Sequence, residues 1–321
     1  MRTITGLLIL SGSVALLAAC GGAREASGPS GADAPALEPG SFVEQVGGRT
    51  IHYEIHGTGP VLMVVPNSWG LSVEGLRGLF GALERRLTLV YFDPRGIGRS
   101  GPVEAPEDMG LEAVREDFHA LREHLGLERV HAIGWSNGAM NLLLLAAERP
   151  ETLRSAIIVH GVARFVPEDM QAVGERFPDL FRDFGALQRE LEESSDPSEE
   201  KTARMKAFWI GRYFPAMTGD PEAALPRIRE AFEPAQFSYE HARWTQQAYP
   251  SFDASAALPR ITVPMMVIAG AHDMLPVERA REIAERAPSV RFELFANSGH
   301  FAPLEEPERF ERAVLGFLDV R

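Results

Sequence analysis

Cysteine is almost absent from this chain: its 321 residues contain one, Cys20. A single cysteine permits no internal disulfide and no thiolate metal cluster, and from position 21 onward there is no cysteine nucleophile. No group of residues has metal-ligand spacing, and no glycine loop is spaced to cradle a phosphate, so neither a metal nor any other cofactor is expected. No internal repeat is present. Positive charge is also short, with 32 Lys and Arg against 45 Asp and Glu and a net charge of −13. That balance argues against nucleic acid as a partner and against direct adhesion to anionic lipid. The apolar run from Ile4 to Leu17 is shorter than the roughly 18 residues a spanning helix needs.

That run follows a single positive charge, Arg2, and ends in Leu17-Ala18-Ala19-Cys20, where the sequence turns abruptly to Gly, Ala, Ser and Pro. This is the anatomy of a secretory signal peptide. Leu17-Ala18-Ala19-Cys20 resembles a bacterial lipobox, which implies removal of residues 1–19 and attachment of a lipid anchor to Cys20. An ordinary signal peptide with an incidental cysteine is the alternative. Gly21 stands where an aspartate would mark retention at the inner membrane. The expected location is therefore the cell envelope, at the outer membrane or cell surface. Residues 20–40 have the composition of a flexible tether.

From Ser41 onward the chain alternates between strand and helix patterns. Phe42 to Val46 and Thr50 to Ile55 flank Gly47-Gly48 and predict a β-hairpin. Val61 to Val65, Leu87 to Phe92, Val130 to Ile133, Ala156 to Val159, Val263 to Ala269 and Val290 to Phe295 read as further strands. Leu111, Val114, Phe118, Leu121 and Leu125 recur in steps of three and four, the stripe of an amphipathic helix. Ala139 to Arg149, Glu278 to Arg286 and Pro307 to Leu318 also read as helices. Such alternation predicts an α/β fold, a mostly parallel sheet covered on both faces. Phe165 to Tyr249 breaks the pattern, with helical stretches, many aromatics and no strand-like run. The expected organisation is a core of residues 41–164 and 250–321 carrying a helical cap over 165–249.

Gly134-Trp135-Ser136-Asn137-Gly138 lies between the strand ending at Ile133 and the helix starting at Ala139. G-x-S-x-G between a strand and a helix resembles the nucleophile elbow of the α/β hydrolases, in which the serine is thrust out above the sheet. The resemblance extends to Tyr91-Phe92-Asp93-Pro94-Arg95-Gly96-Ile97-Gly98-Arg99-Ser100, to Val263 to Gly270 with Asp273, and to Gly299 through Pro307. Together these look most like the proline iminopeptidase-type branch, and they cover nearly everything from Ser41 onward except the cap. In such proteins Asp93 and Arg95 are structural.

The resemblance implies a triad in the order serine, acid, histidine. Ser136 is then the nucleophile. Of nine histidines, only His300 follows the last strand, and it is the expected base. Asp273 follows the strand at Val267-Ile268-Ala269-Gly270 and is the expected acid. Asp253 is its rival, but no strand leads into it. The oxyanion of acyl transfer needs two backbone donors; Asn137 is expected to supply one and Ser68 the other. Taken singly, Asp273 as a helix cap and His300 as a surface histidine are the plain alternatives.

Two departures bear on substrate. Pro66-Asn67-Ser68-Trp69-Gly70 stands where this branch usually carries His-Gly-Gly-Pro-Gly, so Trp69 alters the floor of the acyl pocket. Glu233 and Glu240 are possible counterparts of the carboxylates that read a free amino terminus, but their setting does not match. Trp69, Trp135, Trp209 and Trp244 are expected to line the pocket. Phe208, Tyr213, Phe214, Phe237 and Tyr239 share the cap, where packing of its own core is the competing role. The expected activity is hydrolysis of a small ester or amide through an acyl-enzyme, foremost a carboxylic ester. A short peptide with amino-terminal proline is the second substrate, and a catalytically silent, lipid-anchored binding protein the rival class. Nothing in the sequence fixes an oligomeric state.

Overall fold

The computed structural model describes residues 37–320. The expected signal peptide, Cys20 and most of the tether lie outside the described residues. Eight strands form one sheet in the order β1-β2-β4-β3-β5-β6-β7-β8. They are β1 Gly40–Val46, β2 Arg49–His56, β3 Val61–Val65, β4 Thr88–Phe92, β5 Val130–Trp135, β6 Leu153–Val159, β7 Met265–Gly270 and β8 Val290–Phe295. β1 and β2 make the expected hairpin, with Val46 opposite Arg49 across two glycines whose φ angles are 58° and 82°. That left-handed backbone is the conformation glycine adopts without penalty. β2 runs antiparallel to β4, and all neighbours from β4 across to β8 are parallel.

Helices α1 Val73–Phe80, α2 Leu111–His124 and α3 Asn137–Glu148 fall among the first six strands. Between β6 and β7 lie α4 Pro167–Arg176, α5 Pro178–Glu193, α6 Ser198–Phe208, α7 Phe214–Ala216, α8 Pro221–Phe232 and α9 Tyr239–Ala248. A π-helical turn over Trp209–Tyr213 joins α6 to α7. Helices α10 Val277–Arg286, α11 Ala302–Glu305 and α12 Pro307–Phe317 complete the chain.

Side chains alternate across a strand, and the two faces of this sheet are buried separately. Leu62, Val64, Ile133, Ile157 and Ile268 pack on one face with α1, α12 and the segment between β6 and β7. Met63, Val65, Ala132, Ile158 and Val267 pack on the other with α2, α3 and α10. Burying strands on both faces is why β3 to β7 read as continuous apolar runs. The predicted stripe of α2 holds, with Val114, Phe118 and Leu121 buried. Each fully buried Leu or Phe contributes about 1.5–3 kcal/mol relative to exposure.

The segment between β6 and β7 is pinned at its base. Arg164 bridges Asp253 in an isolated antiparallel pair, and the Ala254 N–H donates to the Ala163 carbonyl at 2.7 Å. Asp253 is held in this neck, where it accepts the Ser255 N–H. Asp93 accepts from the amides of Val73 and Arg99 and pairs with buried His52 at 2.6 Å. Arg95 is buried against Asp117 and Asp108. Both residues therefore tie loops together. Strand order reverses between β3 and β5, and in an open parallel sheet the crevice outside the carboxyl ends at such a point is where ligands bind.

Candidate active site

The carboxyl end of β5 runs through Ser136 into α3 in a turn too tight for any side chain but glycine on either flank. A Cβ on Gly134 would collide with the Gly138 carbonyl, and one on Gly138 with the Val65 carbonyl. Ser136 itself has φ 55° and ψ −120°, a region costing a non-glycine residue on the order of 1–3 kcal/mol. Its N–H donates to the Val159 carbonyl at 2.8 Å, which binds the turn to β6. Sequence alone placed the start of α3 at Ala139; it begins at Asn137, so the dipole of α3 points its positive end at Ser136.

Asp273 and His300 come from the loops after β7 and β8, and the His300 Nδ1–H donates to Asp273 Oδ2 at 2.8 Å. The loop bearing His300 is held from several sides. Its N–H donates to the Met217 carbonyl at 2.7 Å, while the amides of Gly299 and Phe301 both donate to Glu305. The Trp135 indole N–H donates to the His300 carbonyl at 2.8 Å. With Nδ1 engaged by Asp273, Nε2 is the nitrogen left for the cavity that Ser136 and His300 both line. Among the described residues no hydrogen bond joins the Ser136 hydroxyl to His300. Catalytic contacts are often looser before substrate binds.

Sequence reasoning missed His160. It follows β6 directly, at φ 54°, and its side chain is fully buried. Its Nδ1 lies 3.2 Å from Asp273 Oδ2, so two imidazoles converge on one carboxylate oxygen. Burial would push the Asp273 carboxyl up, but the adjoining His300 and His160 outweigh it and hold the group well below the usual carboxylate range. Burial lowers His160, against the opposing pull of Asp273. The one available signal was position, a histidine at the carboxyl end of a sheet strand beside the elbow strand.

The loop after β3 departs from expectation. Ser68 is buried and does not line the cavity; its N–H and hydroxyl both donate to Asn137 Oδ1, at 2.6 and 2.7 Å. The Ser68 amide is thus engaged with a side chain instead of facing a substrate oxygen. Asn67 donates to the Trp135 carbonyl and Asn141 to the Pro66 carbonyl, so the loop and the elbow form one hydrogen-bonded unit.

A cavity of about 400 Å³ opens above Ser136. Trp69, Trp135 and Trp209 line it as expected, with Met140, Phe181, Phe184, Phe214 and Met274. Trp244 does not. It is half-buried on α9 beside Gly110, and Gln246, two residues on, faces the cavity. Two residues turn about 200° around an α-helix, which carries Trp244 to another side. Tyr213 and Phe214 also line the cavity, whereas Phe208 stacks on Phe184 and Phe237 packs on Trp209 within the segment between β6 and β7. Among the described residues no Asp, Glu, Lys or Arg lines the space. Burial pushes Tyr213 up to about 12 and raises Tyr249 further, so both phenols are neutral there.

A mostly parallel sheet with helices on both sides, an elbow serine at its switch point and an Asp–His pair beside it define an α/β hydrolase. The chain matches the alpha/beta hydrolase fold family over residues 61–307 and belongs to it. It is 30% identical over 274 residues to a protein from Caulobacter vibrioides named "Putative carbamate hydrolase RutD", covering 84% of this chain and 95% of the relative. Among solved structures, an alpha/beta fold family hydrolase from Bacillus anthracis superposes with a TM-score of 0.71 at 19% identity, covering 87% of this chain and 99% of that one. The enol-lactonase from Burkholderia xenovorans LB400 gives 0.66 at 21%, covering 87% and 100%. Proline iminopeptidase from Mycobacterium smegmatis gives 0.61 at 22%, covering 87% and 98%. At these identities the structures speak for the fold. The chain is a hydrolase of this family.

Proposed function

We propose that the protein is a serine esterase acting on uncharged carboxylic esters with an apolar acyl or alcohol part. The observation carrying this reading is the roughly 400 Å³ cavity over Ser136, rich in aromatics and methionine and free of acidic and cationic side chains among the described residues. Such a space accepts apolar groups and strongly disfavours an unpaired charge.

In this reading His300 Nε2 takes the Ser136 proton as the serine oxygen attacks the ester carbonyl carbon. Asp273 holds the imidazole in the tautomer with hydrogen on Nδ1 and stabilises the imidazolium. The Asn137 N–H, at the start of α3, stabilises the oxyanion. Collapse breaks the bond to the alcohol, which leaves with the proton from His300, and water then cleaves the acyl-enzyme by the same steps. The Ser68 N–H does not join the Asn137 N–H at the oxyanion, because it is held by Asn137 Oδ1.

An amino-terminal proline substrate is less well supported, because its ammonium needs a carboxylate. Glu233 and Glu240 are on the cap surface, near Arg229 and Arg243 respectively, and neither lines the cavity. The name of the RutD relatives points to carbamates, which offer Ser136 a similar carbonyl, but a small carbamate would leave most of the cavity unfilled. A silent binding role is disfavoured by the Asp273–His300 pair beside Ser136.

The test is a fluorophosphonate probe with mass-spectrometric mapping, together with p-nitrophenyl butyrate and proline p-nitroanilide as substrates. Labelling at Ser136 and turnover of the ester are expected. An unlabelled Ser136, or turnover of the prolyl anilide alone, overturns the reading. We further propose that the segment over 165–249 acts as a lid and that Cys20 carries a lipid anchor in the bacterial envelope, at the outer membrane or cell surface. Cys20→Ala is expected to release the protein from the membrane fraction.

A further inference from the structure

We propose that His160 is a positioning residue for this reaction, donating a second imidazole hydrogen bond to Asp273 and so fixing the carboxylate that orients His300. The proposal rests on the triad reading above and deepens it.

The geometry assigns the tautomer. The Ala302 N–H donates to His160 Nε2 at 3.2 Å, so that nitrogen presents a lone pair. In a neutral imidazole the hydrogen then sits on Nδ1, and Nδ1 lies 3.2 Å from Asp273 Oδ2. Burial of His160 favours the neutral form. Oδ2 thus receives two N–H donors, from His160 and from His300, while Oδ1 receives the Leu275 N–H at 3.0 Å. The three donors come from the end of β6, the loop after β7 and the loop after β8. Together they leave the carboxylate no freedom to rotate away from His300.

His160 is itself rigidly mounted. Its N–H donates to the Ile268 carbonyl at 2.9 Å, and its positive φ is a strained conformation that persists only where surrounding contacts enforce it. Its ring lies 5.2 Å from that of His300, so the two imidazoles pack as a tilted pair around the shared acid. Purely apolar packing would not require a histidine here, nor leave both ring nitrogens engaged.

Two variants separate positioning from bulk structure. In His160→Asn the amide N–H occupies nearly the place of Nδ1, and asparagine tolerates positive φ. His160→Phe keeps a ring and removes the donor. Loss of a hydrogen bond to a charged group predicts that His160→Phe lowers kcat on the order of ten- to a hundred-fold, with KM held within about 3-fold. His160→Asn is expected to recover most of that loss. Equal kcat values for the two variants overturn the proposal, whether both match the wild type or both fall together. A readout in the unmodified protein covers the case of a variant that does not fold. Nitrogen-15 spectra of the imidazoles should show His160 neutral with hydrogen on Nδ1, and hydrogen on Nε2 refutes the assignment. Fluorophosphonate labelling of wild-type Ser136 reports separately on the underlying esterase reading, so failure of one is not mistaken for failure of the other.

Discussion

Trp135, the residue before the elbow serine, donates its indole N–H to the main-chain carbonyl of His300 at 2.8 Å. One side chain thus couples the strand that presents Ser136 to the loop that presents His300, across 165 residues of sequence. Its ring also packs on Phe232 and Phe301. Trp135→Phe keeps the packing and deletes the donor. Losing one neutral hydrogen bond predicts a fall in kcat of about 3- to 10-fold, with an intact circular dichroism spectrum. Steady-state kinetics on p-nitrophenyl butyrate check it; an unchanged kcat means the bond does not hold the base.

Strain at Ser136 has its own signature. At φ 55° a Cβ is disfavoured, so Ser136→Gly should be more stable than Ser136→Ala by about 1 kcal/mol, despite the greater chain entropy of glycine. Both variants should lack turnover. Urea midpoints compare them, and a less stable glycine variant would show that the elbow carries no backbone strain.

Charge on the acyl chain should be rejected. p-Nitrophenyl butyrate and the p-nitrophenyl monoester of succinic acid are similar in length, but the second carries a carboxylate. With no lysine or arginine among the described residues lining the cavity, kcat/KM for the charged ester should be lower on the order of 100-fold or more. Near-equal values would mean that the acyl group lies elsewhere.

Acid should destabilise the fold through its buried histidines. Burial pushes His119 and His131 down to about 4 and also lowers His160 and His241. A histidine with a depressed folded value binds its proton more readily when unfolded. Its contribution is therefore complete above the unfolded value of about 6.5 and is lost as pH falls from there toward the folded value. Tm should hold level above about pH 7 and decline between about pH 6.5 and 4. His119→Leu should shallow that decline, since neither ring nitrogen of His119 meets a partner among the described residues. A flat Tm profile would contradict the burial argument.

Features set by short-range rules were readable in the sequence. Two glycines gave the hairpin, apolar runs gave the buried strands, and a glycine-flanked serine between strand and helix gave the elbow. Asp273 and His300 were reachable because element order constrains them. What escaped depends on direction in space. Trp244 and Gln246 are two residues apart on α9, yet only Gln246 faces the cavity, and composition alone does not give a helix its rotation. Ser68 was placed by its loop, but its amide is engaged by a side chain 69 residues away. His160 is one of nine histidines, set apart only by a carboxylate brought to it from residue 273.

The charge-free lining also bears on how a turnover would end. Cleaving a neutral ester yields an acid that ionises at ordinary pH, and among the described residues no arginine or lysine lines this chamber to retain an anion. An ester of the proposed kind would enter as a guest of the aromatic walls, and its acid half would become a stranger to them once the acyl bond was hydrolysed. Departure of that half is then driven by hydration, and accumulated carboxylate should inhibit only weakly.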